Sequence, residues 1–146
     1  MRVLLADERA KVRSAVRLLL EEQTDMDVLG EAMDATGLLD WISATCPDVV
    51  LLDWELPGAE AANLVSDIRS GCSGVRVVAL SGLPEARHQA LRAGADGFVS
   101  KGDPPERLLQ AIRGCGLTAR LEGAQDADGP EVLGLARGEA EGLFIG

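Results

Sequence analysis

The sequence predicts an α/β fold, a doubly wound parallel sheet of five strands flanked by five helices. Two observations carry this. Along the first 113 residues, short apolar runs alternate with stretches whose apolar residues recur at helical spacing. The clearest run, Val49-Val50-Leu51-Leu52, is apolar throughout instead of alternating, as expected of a strand covered by helices on both faces.

The elements follow in order. Val3 to Ala6 is the first strand. Residues 9 to 22 form a helix, with Val12, Ala15, Val16, Leu19 and Leu20 on one face and Arg13 and Arg17 off it. Val28 to Ala32 is the second strand, and residues 35 to 45 the second helix, through Leu38, Leu39 and Ile42. Pro47-Asp48 breaks the chain before the third strand, Val49 to Leu52. Ala61, Leu64, Val65 and Ile68 mark a third helix that Gly71 ends, and Val75 to Leu80 is the fourth strand. Residues 84 to 93 form a fourth helix with a thin apolar face, Ala90 and Leu91. Gly97-Phe98-Val99 is a short fifth strand. Asp103-Pro104-Pro105-Glu106 reads as a helix start, with Asp103 as the capping acid, and Leu108, Leu109 and Ile112 bury that last helix. Crossovers between parallel strands are expected to be right-handed.

Composition removes several classes. The chain has 146 residues, 47% hydrophobic, with Trp41, Trp54, Phe98 and Phe144 as its aromatics, so the core must be aliphatic. No apolar run is long enough to span a bilayer, and the N-terminal run ends in acid too soon for a signal peptide, so the chain reads as cytoplasmic with no membrane contact. A net charge of −10 without a clustered basic face argues against a nucleic-acid surface. One histidine, His88, excludes most histidine-built metal sites and catalytic triads. Cys46, Cys72 and Cys115 show neither metal-ligand spacing nor a disulfide pattern and read as reduced thiols packed as small apolar groups.

In a parallel sheet, functional groups gather beyond the C-terminal ends of the strands. Asp7 and Glu8 follow the first strand, Asp53 ends the third, Ser81 follows the fourth and Lys101 the fifth. Asp34, after the second strand, has no evident place among them. Singly, each has an ordinary use: Asp7 a helix cap, Ser81 a turn residue before Gly82, Lys101 a solvated lysine. Their joint placement carries the signal. Carboxylates brought together repel, so either one stays protonated or a cation binds. Hard oxygen ligands without histidine favour Mg²⁺. Asp53 would then be a nucleophile able to form an acyl phosphate, with Mg²⁺ and Lys101 neutralising the phosphoryl oxygens and Ser81 donating to one of them.

Four segments together resemble the receiver domains of two-component response regulators over about residues 2 to 113: Val3 to Glu8, Val49 to Gly58, Val77 to Gly82 and Ala90 to Lys101. They are most similar to receivers of the NarL/LuxR type. The resemblance implies a flavodoxin-like strand order, 2-1-3-4-5. It implies phosphorylation at Asp53, catalytic phosphate contacts from Lys101 and Ser81, and Mg²⁺ held by Asp7, Glu8, Asp53 and the backbone carbonyl of Glu55. It implies a switch role for Phe98, which otherwise reads as a plain core aromatic. It implies a binding switch that takes part in its own phosphorylation and dephosphorylation, not a turnover enzyme. The implied partners are a sensor histidine kinase or phosphotransfer protein and an output protein, with a homodimer as one form of output. The chain departs from the family in its Asp-Glu acid pair, in Glu55 and Trp54 beside Asp53, in Gly102 after Lys101, and in a shortened Ser81-to-Lys101 segment. These departures keep a second function open: a receiver-like adaptor that works without phosphate. Dinucleotide binding is disfavoured by Asp7-Glu8 where a glycine-rich turn belongs. A dehalogenase-type phosphatase is disfavoured by Glu55 where it needs a second Asp.

The receiver is expected over residues 1–115, followed by a Gly-rich acidic tail, 116–146, without a complete output domain. Nearly half of the 17 glycines fall from Gly114 onward. Short strings there faintly resemble the opening of a LuxR-type module. Arg120 and Arg137 face six acids, Glu122 to Glu141, so no DNA binding by this chain is expected.

Overall fold

A computed structural model describes residues 1–114, so the expected tail, 116–146, and Cys115 lie outside the described residues. Ten elements alternate: β1 (Arg2–Ala6), α1 (Ala10–Glu21), β2 (Asp27–Ala32), α2 (Ala35–Thr45), β3 (Val49–Asp53), α3 (Ala61–Gly71), β4 (Arg76–Ser81), α4 (Ala86–Arg92), β5 (Gly97–Ser100) and α5 (Pro105–Arg113). The five strands are parallel, in the expected order β2-β1-β3-β4-β5.

The pleat explains the continuous apolar runs. Val3 and Leu5 of β1 and Val49 and Leu51 of β3 face Val12, Val16 and Leu20 of α1 and Leu108 and Ile112 of α5. Their neighbours Leu4, Ala6, Val50 and Leu52 face Leu38 and Ile42 of α2 and Leu64, Val65 and Ile68 of α3. Each strand thus serves two cores, and polar residues within it would be buried on either side. The thin face of α4 packs against a third, alanine-rich cluster: Ala79, Ala86, Ala90, Ala95 and Phe98. Leu64 is fully buried between sheet and helices. Leu64→Ala is therefore expected to cost about 2–5 kcal/mol, read as a lower urea midpoint with unchanged slope.

Two sequence expectations are corrected. Asp103 does not cap α5. The cap position is Pro104, without a side-chain cap bond, and the buried Asp103 carboxylate turns back to accept from the Ser100 amide at 3.1 Å. Pro105 opens the helix and has no N–H to offer a cap. The cysteines are not all free thiols: Cys46 and Cys72 form a disulfide, their Cα atoms 5.7 Å apart. Asp34 finds its place as the N-cap of α2, accepting from the Gly37 amide at 2.8 Å. Among the described residues, no helix is long and apolar enough to cross a membrane.

Candidate functional site

The strand order reverses at β1, with β2 on one side and β3 on the other. The loops leaving β1 and β3 diverge there, which opens a crevice at the C-terminal edge of the sheet. An open cleft of about 610 Å³ lies over this edge, lined by Glu8, Arg9, Asp53, Glu55, Leu83 and Lys101 among others.

Asp53 lines it, 4% exposed, and Asp7, 3% exposed, shares the Lys101 ammonium with Asp53 without lining the cleft itself. Asp7 is fixed from both sides: its amide donates to the Ala32 carbonyl at 3.0 Å, and its Oδ1 accepts from the Arg9 amide at 2.8 Å. The Arg13 guanidinium braces this loop. It donates to the Asp7 and Glu8 carbonyls at 2.7 and 3.1 Å while pairing with Glu31 of β2 at 2.8 Å. In the sequence Arg13 is only a residue off the apolar face of α1; its bracing role depends on a loop and a strand that meet in space. Asp53 Oδ1 accepts from the Glu55 amide at 3.1 Å, and the Trp54 amide is tied to the Leu80 carbonyl at 2.7 Å.

Lys101 reaches in from beyond β5. Its amide donates to the Ser81 carbonyl at 2.8 Å, and its Nζ lies 2.8 Å from Asp7 Oδ2 and 3.3 Å from Asp53 Oδ1. One ammonium therefore serves two buried carboxylates. The Asp53 carboxyl stays above its ordinary pKa, because burial and then the Asp7 charge outweigh Lys101.

Ser81 is fully buried, and its hydroxyl lies against the Glu55 carboxylate, 2.9 and 3.0 Å from the two oxygens. Its Oγ also accepts from the Leu83 amide at 3.0 Å. Burial pushes the Glu55 carboxyl up, against the Ser81 hydrogen bond that holds it down. The resemblance implies only the Glu55 carbonyl; this side-chain contact depends on packing across 26 residues that the sequence does not display. Glu8 is exposed on the cleft rim. Phe98 lies outside the cleft, 3% exposed in the α4 cluster, with the Arg87 guanidinium 6.0 Å above its ring.

The group around Lys101 is chemically suited to Mg²⁺: Asp7 and Asp53 supply two hard carboxylates in excess of the single lysine charge. Among the described residues, no three His, Cys, Asp or Glu side chains converge on one point. Glu8 turns to solvent and Glu55 to Ser81, so Asp7 and Asp53 are the side chains in place.

An acid pair, a strand-end aspartate, a buried hydroxyl and a lysine at this edge match a known family. The profile described as "Response regulator receiver domain" matches residues 3–113. The chain belongs to this family. The response regulator receivers are phosphorylation-based signalling switches of two-component systems, not classical enzymes. The chain is 36% identical over 115 residues to the uncharacterized transcriptional regulatory protein YxjL of Bacillus subtilis, covering 77% of this chain and 53% of that protein. It is 31% identical over 141 residues to the probable transcriptional regulatory protein NarL of Mycobacterium tuberculosis, covering 95% and 62%. The signal receiver domain of that NarL superposes with a TM-score of 0.72 at 33% identity, covering 79% of this chain and 94% of that one. These relatives place it with the NarL/LuxR-type receivers. The chain spans little more than half the length of the curated relatives it matches.

Proposed function

We propose that this receiver accepts a phosphoryl group on Asp53 from the phosphohistidine of a sensor kinase or phosphotransfer protein. A carboxylate oxygen of Asp53 attacks phosphorus, the P–N bond breaks, and the released imidazole takes up a proton. The observation that carries this reading is the Lys101 ammonium set between Asp7 and Asp53. It is placed to meet the negative charge of an incoming phosphoryl group. Asp7, Asp53, the Glu55 carbonyl and, after rotation, Glu8 would hold Mg²⁺. The ion supplies charge neutralisation for the phosphoryl oxygens. Trp54 follows Asp53 directly and is half-buried. Mg²⁺ titration should change its fluorescence saturably in a Trp41→Phe background, and Asp7→Asn should weaken the response at least tenfold. No saturable response at millimolar Mg²⁺ would count against the cation site.

Ser81 must leave Glu55 to donate to the phosphoryl group. Glu55→Gln removes the charged acceptor that competes for the hydroxyl. Initial phosphorylation from a small-molecule phosphodonor should then speed up about fivefold, the scale of one net hydrogen bond. Unchanged rates would mean that Glu55 does not restrain Ser81.

Movement of Ser81 toward phosphate vacates space beside β5 that Phe98 can fill, which alters the α4–β5–α5 face and its protein contacts, including a homodimer. The proposed setting is the cytoplasm, with output through protein contacts and no DNA binding by this chain. Sedimentation with and without a phosphate mimic checks the coupling, and titration with random duplex DNA at varied salt checks the last point. The second reading, a phosphate-independent adaptor, draws on one observation: the Ser81 hydroxyl is already engaged by Glu55.

A further inference from the structure

We propose that Cys46 and Cys72 form a reversible dithiol–disulfide site, a redox modification site at the edge of the sheet opposite the phosphoacceptor. Both cysteines follow helices directly: Cys46 is the C-cap residue of α2 and Cys72 that of α3. Their Cα separation, 5.7 Å, lies at the commonest value for a disulfide. The two helix ends are held together independently of the bond. Gly71 lies so close to α2 that a Cβ there would stand 3.2 Å from Ile42 Cγ2.

Cys46 is the only non-glycine residue at positive φ among the described residues, at 48°. Glycine or asparagine ordinarily takes this place after a helix, because a side chain there is strained. Here a cysteine takes it, pinned by its amide to the Ile42 carbonyl at 3.0 Å. The Arg2 guanidinium pins it further, donating to the Thr45 and Cys46 carbonyls at 3.0 and 2.6 Å. This conformation directs the sulfur at Cys72, so the pair is preorganised for closure.

The two partners differ in access. Cys46 is exposed, and Cys72 is 5% exposed. Exchange therefore enters through Cys46. Its thiolate attacks a low-molecular-weight disulfide of the glutathione class, giving a mixed disulfide and one released thiolate. The Cys72 thiolate then attacks the Cys46 sulfur and releases the second. Two electrons pass from the protein to the small disulfide, and the two cysteine protons end on the released thiols. An excess of the small thiol reverses both steps. In a reducing compartment such a bond is expected to be transient and condition-dependent. The ring it closes, spanning a sequence separation of 26, contains β3 with Asp53 and all of α3, so oxidation restrains the segment that carries the phosphoacceptor.

The test uses the full chain carrying Cys115→Ser, equilibrated in glutathione buffers of graded ratio, acid-quenched, alkylated and weighed intact. Two alkyl labels are expected in reduced buffer and none in oxidised buffer, on a monomer whose peptide map joins Cys46 to Cys72. The oxidised form should melt about 10 °C above the reduced form. Cys46→Ser and Cys72→Ala should each abolish that difference. Because Cys46 is exposed, its variant should fold even if loss of the buried Cys72 does not permit folding. Two labels retained in oxidised glutathione would overturn the proposal. So would a mixed disulfide that persists on Cys46, or a bond that native protein keeps in excess dithiothreitol.

Discussion

Replacing Lys101 with Ala should slow phosphoryl incorporation at Asp53 by about 10²–10³-fold, the effect typical of removing one preorganised charge from a developing transition state. The expectation rests on placement. Lys101 Nζ lies within ion-pair distance of both Asp7 and Asp53, 13% exposed on its side chain, and its backbone is clipped to β4 through Ser81. A solvated lysine would lose little by truncation; this one offsets two buried carboxylates, and the incoming phosphoryl group adds more negative charge. The measurement is the initial labelling rate at saturating Mg²⁺, with circular dichroism to confirm that the variant is folded. A loss below about threefold would show that Lys101 is only a structural counter-ion.

Asp53→Asn should end labelling altogether and also make the Mg²⁺-free fold more stable at neutral pH. Asp53 sits above its ordinary value of 3.8, chiefly through burial and then through Asp7. Below that value, folded and unfolded chains both hold the proton, and the wild type loses nothing to the buried group. As pH rises through the folded value, the carboxyl must ionise inside the fold while the unfolded chain ionises freely, so stability falls. Asn carries no charge and can still accept from the Glu55 amide. In chelator, the urea midpoint of Asp53→Asn should therefore exceed that of the wild type at pH 7, and the gap should close toward pH 4 and below. Equal midpoints at pH 7 would mean that Lys101 already compensates Asp53 fully.

Much of this architecture is legible in the sequence because it depends on local pattern. A strand covered on both faces must be apolar at every position, and Val49 to Leu52 shows this directly. Once the strands are placed, topology brings their C-terminal ends to one edge, and Asp7, Asp53, Ser81 and Lys101 follow from position alone. What escaped is what depends on side-chain direction or distant packing. Strand order places Asp7, but it carries no sign that Glu8 turns to solvent or that Glu55 bends onto Ser81 from 26 residues away. Asp103 misled because a capping acid before Pro fits the usual pattern, while the extended Pro104 sends its carboxylate backward to Ser100. Cys46 and Cys72 carry no spacing signal, since only the packing of α2 against α3 makes them neighbours.

Conversion of Asp53 to an acyl phosphate is the central claim, and intact mass after incubation with a small-molecule phosphodonor and Mg²⁺ tests it most directly. One phosphoryl group should be added to the wild type, and none to Asp53→Asn or to the wild type in chelator. An unchanged wild-type mass under conditions that label an ordinary receiver would contradict the account and favour the phosphate-independent adaptor; equal labelling of Asp53→Asn would place the chemistry on another residue.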